Sequence, residues 1–447
     1  MDFELTPAAQ AIRDRAEAFF AAEILPRHRD WFQSVCREGR EAPFMPALQR
    51  KAREQGLWNL ALPLLRDDEP GTRLSNLEFA PVAEILGRLP WGSQVFNCQA
   101  PDVPNMAMLQ ALATPAQRAR WLQPLLEGRT RSSYAMTEPD VASSDASNIA
   151  TRITFGTGRD EGMITLNGRK WFATGGAHPD CAFLIVMGVS DPDAPRLERQ
   201  SMVIVPIGTP GLTLERELSF MGWRDHVAPI GEFTLRDVKV PVENLLGERG
   251  QGFRGAQVRL GPARIHHCMR CVGMAEMLVS QMIARAGERT TFGRSVIDYD
   301  TVQGWIAEAR VEIEMVRLFI HKAAAMVDAA DTAGTGQGGG PAVWRQVSMI
   351  KIAAPRMLQT IADRAVQVFG AMGGVEESLI HHAWSYARWF RIGDGPDEVH
   401  LRQIFRTEPK PEWSIAECPY IASPSPTGNA GTGETADARR QAGGRQL

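Results

Sequence analysis

An acidic residue near the C-terminus is the strongest candidate for chemistry in this sequence. Asp394 stands before a glycine and a proline in the run RIGDGPDEVH, which covers residues 391–400, and helical patterns precede and follow it. A carboxylate beside a turn that lets the backbone approach a ligand is well placed to move a proton. Asp also begins helices, and Asp-Gly-Pro forms ordinary turns, so this run alone leaves a structural role open.

A second run, YAMTEPDVASSD at residues 134–145, ends a short β pattern and opens a loop rich in small hydroxyl side chains. Thr137, Ser143 and Ser144, with the exposed amides of such a loop, can satisfy the polar edge of a flat heterocycle or a pyrophosphate. A cluster of capping and turn residues is the alternative. Glu138 is a second candidate base, although Glu-Pro in such a turn favours a structural role.

A third run, RKWFATGG at residues 169–176, places Trp171 and Phe172 beside a threonine and two glycines. Aromatic rings with small neighbours can stack on a ring system. An aromatic residue in a strand also commonly belongs to the core, so both roles stay open.

The bulk composition excludes several classes of protein. The chain has 447 residues, 44% hydrophobic content and a net charge of −3, which allows two or three domains and argues against nucleic-acid or anionic-membrane binding. It contains no apolar run of about 18 residues, and MDFELTPAAQ lacks the apolar segment of a signal peptide. We therefore expect a cytoplasmic protein with no membrane span.

Cysteine and histidine spacing does not predict a metal site. Cys268 and Cys271 form a single CxxC in a helical pattern without a second pair. The histidine pairs at 266–267 and 381–382 are adjacent on helices, so the two rings of each pair point about 100° apart. We expect reduced thiols and no metal ligands.

The order of patterns is helical, then β, then helical. Helical periodicity runs from Thr6 to about residue 129, and long helices are predicted over 253–286, 301–330 and 341–370. The glycine-rich run between the last two is predicted to be a flexible connector. Between residue 129 and the helix at 253–286, short runs bounded by Gly, Pro, Asn and Asp predict an antiparallel β sandwich or barrel. Its predicted strands are 162–166, 182–189, 202–206 and 231–238.

Five motifs in one order make the chain resemble the acyl-CoA dehydrogenase family. They are YAMTEPDVASSD, KWFATGG, VPVENLLGERGQGF at 240–253, RTTFG at 289–293 and QVFGAMGG at 367–374. The resemblance implies an α+β fold with an N-terminal α-helical domain at 1–131, a middle β-barrel or sandwich domain at 132–248 and a C-terminal four-helix-bundle domain at 249–416. Residues 417–447, rich in Pro, Ser, Gly and charge, are expected to be a disordered tail.

The resemblance also implies FAD as the cofactor and assigns residues to it. Tyr134, Met136 and Thr137 would line the flavin edge through backbone and hydroxyl contacts, and Phe172, Ala173 and Thr174 would cover the ring. The family usually has Trp where Phe172 stands. Ser143 would lie between flavin and pantetheine, and the diphosphate and adenosine would be held by Arg289, Thr291, Phe292, Gln367 and Gly370. Pro396 and Glu398 would lie near the cofactor, with Asp397 and Glu398 capping the helix that follows. Some of these groups would come from a neighbouring subunit, so a homo-oligomer, either a dimer or a tetramer, is expected.

The implied reaction is dehydrogenation of an acyl-CoA thioester to the trans-2-enoyl-CoA. Asp394 resembles the base of a branch of the family that uses Asp rather than Glu. Ser144, Arg264 and Gly395 would contact the substrate, with Arg264 facing the CoA end. Pro262 and Ala263 stand where some relatives carry a base, so no rival carboxylate exists there. Because Asp is one methylene shorter than Glu, we expect a pocket of different shape that takes long or branched acyl groups.

Three interpretations of the function stay open: a dehydrogenase, an oxidase and a scaffold. Electrons would pass to an electron-transfer flavoprotein in the first reading. In the second, a nitroalkane-oxidase-like flavin oxidase would pass them to O₂. In the third, the chain would be a flavin scaffold without enzyme activity.

Overall fold

Helices form the first part of the chain. The computed structural model describes residues 4–332 and 340–409, and residues 4–407 belong to one unit. The first helix begins as predicted, because Thr6 accepts a hydrogen bond from the Ala9 amide and Pro7 takes the first helical position. The N-terminal helices are α1 Pro7–Phe19, α2 His28–Trp31, α3 Met45–Glu54, α4 Asn76–Gly87, α5 Gly92–Val95, α6 Asp102–Leu112, α7 Pro115–Gln117 and α8 Gln123–Leu126.

The middle of the chain forms one eight-stranded sheet. Its strands are β1 Arg131–Ala135, β2 Arg152–Phe155, β3 Met163–Ala173, β4 Cys181–Val189, β5 Gln200–Pro206, β6 Leu212–Leu218, β7 Ile230–Pro241 and β8 Leu245–Leu246. Their order is β6-β7-β3-β2-β4-β5-β8, with β1 beside β4. All four predicted strands are present, and the sequence patterns missed β2, β6 and β8. The purely antiparallel expectation is wrong, because β1 and β2 both pair parallel to β4.

Within residues 249–332 and 340–409, five helices follow the sheet. They are α9 Gly252–Glu288, α10 Asp300–Thr332, α11 Gly340–Phe369, α12 Leu379–Phe390 and α13 Asp397–Arg406, and a short hairpin of β9 Thr290–Thr291 and β10 Arg294–Ser295 follows α9. The three long helices are confirmed. Most of the predicted glycine-rich connector and all of the predicted tail lie outside the described residues.

The long helices α9 and α11 run parallel, which fixes where the functional loops lie. The Cys268 thiol on α9 lies 3.5 Å from the Ile350 carbonyl oxygen on α11. Further along the pair, the Arg285 guanidinium lies 5.7 Å from the Phe369 ring centroid. The C-terminal ends of both helices therefore meet at one end of the bundle.

Both cysteines of the CxxC pair lie on α9. Cys268 and Cys271 are fully buried. Burial raises the pKa of Cys271 to about 12, and it raises that of Cys268 well above its usual value, so both remain thiols. Among the described residues, no helix is long and apolar enough to cross a bilayer.

Candidate active site

The loop between α12 and α13 holds Asp394 in an unusual backbone conformation. Asp394 has φ +54° and Gly395 has φ +101°. A left-handed conformation costs energy at a non-glycine residue and persists where surrounding contacts impose it. Glycine is required at 395, because a Cβ there would also lie 2.9 Å from His400 Nε2.

Three side chains from three helices hold this loop by its carbonyl oxygens. Arg264 on α9 donates to the Asp394 carbonyl oxygen from Nη2 at 3.0 Å and from Nε at 3.3 Å. His400 on α13 lies with Nε2 3.3 Å from the same oxygen. Lys351 on α11 donates to the Gly395 carbonyl oxygen at 3.3 Å and to that of Phe390. Two cationic side chains and one imidazole therefore hold the loop in place.

Arg264 makes a contact that the sequence did not predict, and its role at the CoA end stays a prediction. Its guanidinium was expected to face the CoA end of a substrate, and it donates to the backbone of the candidate base. The reason is the packing of α9 beneath the loop, which brings the arginine within reach of a carbonyl oxygen 130 residues away in sequence.

The environment of Lys351 is unusual for a lysine. The side chain is fully buried, and its Nζ lies 4.1 Å from the centroid of the Phe390 ring. Burial lowers the pKa of Lys351 below its usual value, and the neighbouring Asp394 carboxylate opposes this shift. A buried lysine with two carbonyl acceptors serves to order the loop.

Asp397 has a different role from the predicted helix cap. The N-cap position of α13 is Pro396, with no side-chain cap. The buried Asp397 carboxylate instead accepts hydrogen bonds from Arg356 at 3.0 Å and Arg391 at 3.0 Å. Glu398 is exposed on the first turn of α13. These contacts tie the C-terminal side of the loop to α11.

The carboxylate of Asp394 faces a histidine. Asp394 Oδ2 lies 3.9 Å from His267 Nε2 on α9, and His267 Nδ1 lies 2.6 Å from the Tyr386 hydroxyl on α12. The adjacent His266 instead packs edge-on against Phe79, with ring centroids 4.8 Å apart. The two histidines therefore point in different directions, as their spacing predicts.

The ends of β1 and β3 bring together two of the sequence motifs. The Trp171 amide donates to the Thr137 carbonyl oxygen at 3.0 Å, and the Ser133 hydroxyl donates to the Thr174 carbonyl oxygen at 2.8 Å. Phe172 has φ +48° at an irregularity in the pairing of β3 with β7. These two contacts hold the segment that follows β1 beside the C-terminal end of β3.

Two side chains of the first motif are engaged within the fold. The Tyr134 hydroxyl lies 3.5 Å from the Met187 sulfur and 3.8 Å from the Met202 sulfur, and the predicted contact of this residue with the flavin edge stays a prediction. Strand alternation turns this side chain inward. The Ser143 hydroxyl accepts from the Glu138 amide at 2.9 Å and thereby closes the turn, while Ser144 is exposed.

Glu138 forms a buried ion pair. Its carboxylate lies 2.7 Å from Lys170 Nζ and accepts from the amides of Ala150 at 2.7 Å and Thr151 at 2.9 Å. Burial lowers the pKa of Lys170 to about 8, against the opposing effect of Glu138. Burial tends to raise the pKa of Glu138, but Lys170 and the hydrogen bonds hold it below its usual value. The pair is charged at neutral pH, and its contacts support the structural role.

The remaining predicted cofactor residues lie at the far end of the bundle. Phe292 and Gly293, both with positive φ, form the two-residue turn of the β9–β10 hairpin, and Phe292 is 96% exposed. Arg289 and Thr291 on the same hairpin are exposed, as are Gln367 and Gly370 at the end of α11. The structure does not bring these residues to Asp394.

Sequence reasoning missed Lys351, His267 and His400. Lys351 interrupts the buried apolar face of α11, and a lone cation in such a stripe is a signal that could have identified it. His267 was considered only as half of a chelating pair. Nothing in the sequence predicts that Lys351 or His267 lies near Asp394.

Comparison with known proteins identifies the family of this chain. Sequence models of the N-terminal, middle and C-terminal domains of acyl-CoA dehydrogenase match residues 6–129, 133–238 and 250–408. The chain is 43% identical over 416 residues to probable acyl-CoA dehydrogenase FadE2 of Mycobacterium tuberculosis, covering 91% of this chain and 97% of that protein. A solved structure of a putative acyl-CoA dehydrogenase from Mycobacterium abscessus is 39% identical, with a TM-score of 0.83, covering 90% and 98% of the two chains.

The chain therefore belongs to the acyl-CoA dehydrogenase family. The α–β–α fold class is confirmed, and the family supports FAD as the cofactor. Acyl-CoA dehydrogenase family member 10 of Mus musculus is 40% identical over 417 residues, covering 92% of this chain. The chain spans only 38% of the length of that mouse protein. The three matched segments fall within the three predicted domains, whose exact boundaries stay a prediction.

Proposed function

We propose that the chain is an FAD-dependent acyl-CoA dehydrogenase in which Asp394 removes the α-proton of the thioester. The observation that carries this proposal is the loop itself, where a strained aspartate is held through its backbone by Arg264, Lys351 and His400. Proton abstraction needs a carboxylate in one defined position, and these contacts supply that order.

The rival carboxylate is engaged elsewhere. Glu138 is 4% exposed and accepts from Lys170 and two main-chain amides, so protonation by a substrate would break a buried ion pair. The Asp394 side chain is 18% exposed and stands at the surface of its loop. Accessibility therefore favours Asp394 as the base.

The reaction balances with two hydrogens removed from the substrate. The bond from the α-carbon to its hydrogen breaks, and the proton goes to the Asp394 carboxylate. FAD, when bound, accepts the hydride that leaves the β-carbon, so a trans double bond forms between the two carbons. The main-chain N–H of Asp394 would donate to the thioester carbonyl oxygen and stabilise the negative charge that develops there.

The residues at the end of β3 fit a flat cofactor. Trp171 Nε1 is a buried donor with no hydrogen-bond partner among the described residues, and the main-chain amide of the same residue donates to the Thr137 carbonyl oxygen. Met136, Thr137, Phe172, Ala173 and Thr174 would hold the ring, with Ser143 bracing the loop. Pro396 and Glu398 would lie on the opposite side, and Ser144 and Gly395 would contact the thioester.

The far end of the bundle supports a homo-oligomer. From Lys351, beside the base, to Phe369 the helix α11 spans about 27 Å at about 1.5 Å per residue. The exposed Phe292, Arg289, Thr291, Gln367 and Gly370 are therefore remote from their own base and available to a second copy of the chain. Gly370 also leaves open space where a side chain would begin, which suits close approach of a diphosphate.

Replacing Phe292 with Ala is expected to weaken FAD retention by about tenfold, because a ring that is 96% exposed in one chain would be covered only in the assembled cofactor site. The measurement is the fraction of flavin retained after dialysis, titrated back with FAD. Phe405→Ala, at an aromatic that is 83% exposed on α13, is the matched control. Equal retention in the wild type and both variants would contradict the assignment of Phe292 to the cofactor.

Anaerobic titration of the flavin-bound protein with acyl-CoA thioesters tests the proposed function. We expect a panel of short, long and 2-methyl-branched thioesters to contain a class that bleaches the visible flavin band. Slow reoxidation by O₂ and fast reoxidation by an electron-transfer flavoprotein would support the dehydrogenase. Fast reoxidation by O₂ would favour the oxidase. The absence of bleaching by every thioester would contradict the proposed dehydrogenation.

A further inference from the structure

His267 faces the Asp394 carboxylate from the helix beneath the loop. Its Nε2 atom lies 3.9 Å from Asp394 Oδ2, and its imidazole is 10% exposed. Its Nδ1 atom lies 2.6 Å from the Tyr386 hydroxyl. The three groups come from α9, from α12 and from the loop that follows α12, so folding of the helical domain assembles them.

The partners of His267 favour one tautomer of the ring. Burial raises the pKa of the Tyr386 phenol well above its usual value, so the phenol keeps its proton and can donate it to Nδ1. When the phenol donates to Nδ1, a neutral ring carries its hydrogen on Nε2, the atom that faces a carboxylate, which only accepts. In that tautomer, the Nε2 hydrogen of His267 can be donated toward Asp394.

We propose that His267 is a positioning residue for the base, holding one oxygen of the Asp394 carboxylate while Tyr386 fixes the imidazole ring. This inference rests on the proposed function, because it concerns how Asp394 is presented to the α-proton. The separation exceeds the length of a charge-assisted hydrogen bond, about 2.7–2.9 Å, and such catalytic contacts commonly shorten when substrate binds. Holding one carboxylate oxygen leaves the other free to receive the proton.

The other donors around the loop act on its backbone. Arg264, Lys351 and His400 all contact main-chain carbonyl oxygens. His267 instead contributes a contact to the carboxylate. Among the described residues, the titratable and charged groups around the pair and Tyr386 include Asp225 before β7, Arg264, His266, Cys268, Arg270 and Cys271 on α9, Lys351 on α11, and Asp397 and His400 on α13.

The adjacent His266 provides a matched control. It is buried on the same helix, burial lowers its pKa to about 3, and its ring packs against Phe79 rather than Asp394. A substitution at 266 therefore disturbs the packing of α9 to a similar extent without touching the base. Loss of an imidazole from α9 can thus be separated from loss of the contact to Asp394.

The test measures anaerobic flavin reduction by a thioester in the full-length, FAD-bound protein. We expect His267→Leu to lower the limiting reduction rate by about 10- to 100-fold, the size of one hydrogen bond to a charged group, with thioester affinity changed by less than about threefold. The acid limb of the pH–rate profile should move to higher pH. His267→Gln, which restores an N–H donor, should recover most of the rate, and His266→Leu should match the wild type.

Three outcomes would overturn the proposal. They are a normal rate in His267→Leu, equal losses in His267→Leu and His267→Gln, and an unmoved acid limb. A second readout does not depend on turnover: the unfolding temperatures of His267→Leu, Asp394→Asn and the double variant should be non-additive, and additivity would count against the pair. If no thioester reduces the wild-type flavin, the proposed function fails, and this cycle alone decides whether the two side chains interact.

Discussion

Replacing Asp394 with Asn is expected to slow flavin reduction by an acyl-CoA by about 10²- to 10⁴-fold, the usual contribution of a general base. Asn is nearly isosteric with Asp and tolerates the left-handed backbone found at this position, so the loop should keep its contacts to Arg264 and Lys351. The loss would then report the missing proton acceptor rather than a collapsed loop. The measurement is the rate constant for bleaching of the flavin band after anaerobic mixing.

One further measurement makes this result specific. Thioester affinity of Asp394→Asn should stay close to the wild-type value, because the substitution removes a charge but little volume. A reduction rate within about tenfold of the wild type would show that another group takes the proton. Glu138→Gln would then be the next variant to measure.

Asp394→Glu tests the expectation about the acyl group. The longer side chain would move the carboxylate by about one methylene into the space of the substrate, and Glu is less suited than Asp to the positive φ at this position. We expect lower activity on the preferred thioester and a changed preference across the panel. Full activity of Asp394→Glu on the same thioesters would contradict the idea that the shorter base shapes the pocket.

Replacing Lys170 with Met is expected to lower the free energy of unfolding by about 3–5 kcal/mol, the usual cost of breaking a buried ion pair. Lys170 is fully buried, and its ammonium group contacts both the Glu138 carboxylate and the Met136 carbonyl oxygen. Removing the cation leaves a buried carboxylate with only the amides of Ala150 and Thr151 to compensate its charge. The measurement is denaturant unfolding of the FAD-bound protein at one fixed protein concentration.

Matched variants separate the buried pair from lysine removal in general. Lys239 lies on the neighbouring strand β7 and forms an exposed ion pair with Asp160. Lys239→Met therefore removes a lysine from a surface pair, and such pairs contribute about 0–1 kcal/mol. The double variant Lys170→Met with Glu138→Gln should be more stable than Lys170→Met alone, because the unpaired charge is gone. A cost below about 1 kcal/mol for Lys170→Met would contradict this account. Loss of flavin reduction in Glu138→Gln without a change in stability would restore Glu138 as a candidate base.

Local sequence signals determined the elements and their order. The Thr6-Pro7 start of α1, the long helices α9 to α11 and four strands of the sheet follow from capping residues, periodicity and turn residues, all of which act between near neighbours in the chain. The parallel pairing of β1 with β4 could not be predicted from local signals, because the paired residues are some 50 positions apart and packing of the sheet determines which strands pair.

The same division applies to the candidate site. Asp394 and Gly395 could be identified from sequence, since a carboxylate before a glycine at a junction of two helices is a local pattern. Which groups surround them could not, because Arg264, His267 and Lys351 approach the loop from helices that lie far away in sequence. The inward turn of Tyr134 and the arginine partners of Asp397 also depend on which face each element buries. Sequence thus indicated the carboxylate, and tertiary packing decided which groups hold it, since contacts between distant helices are set by burial of their faces.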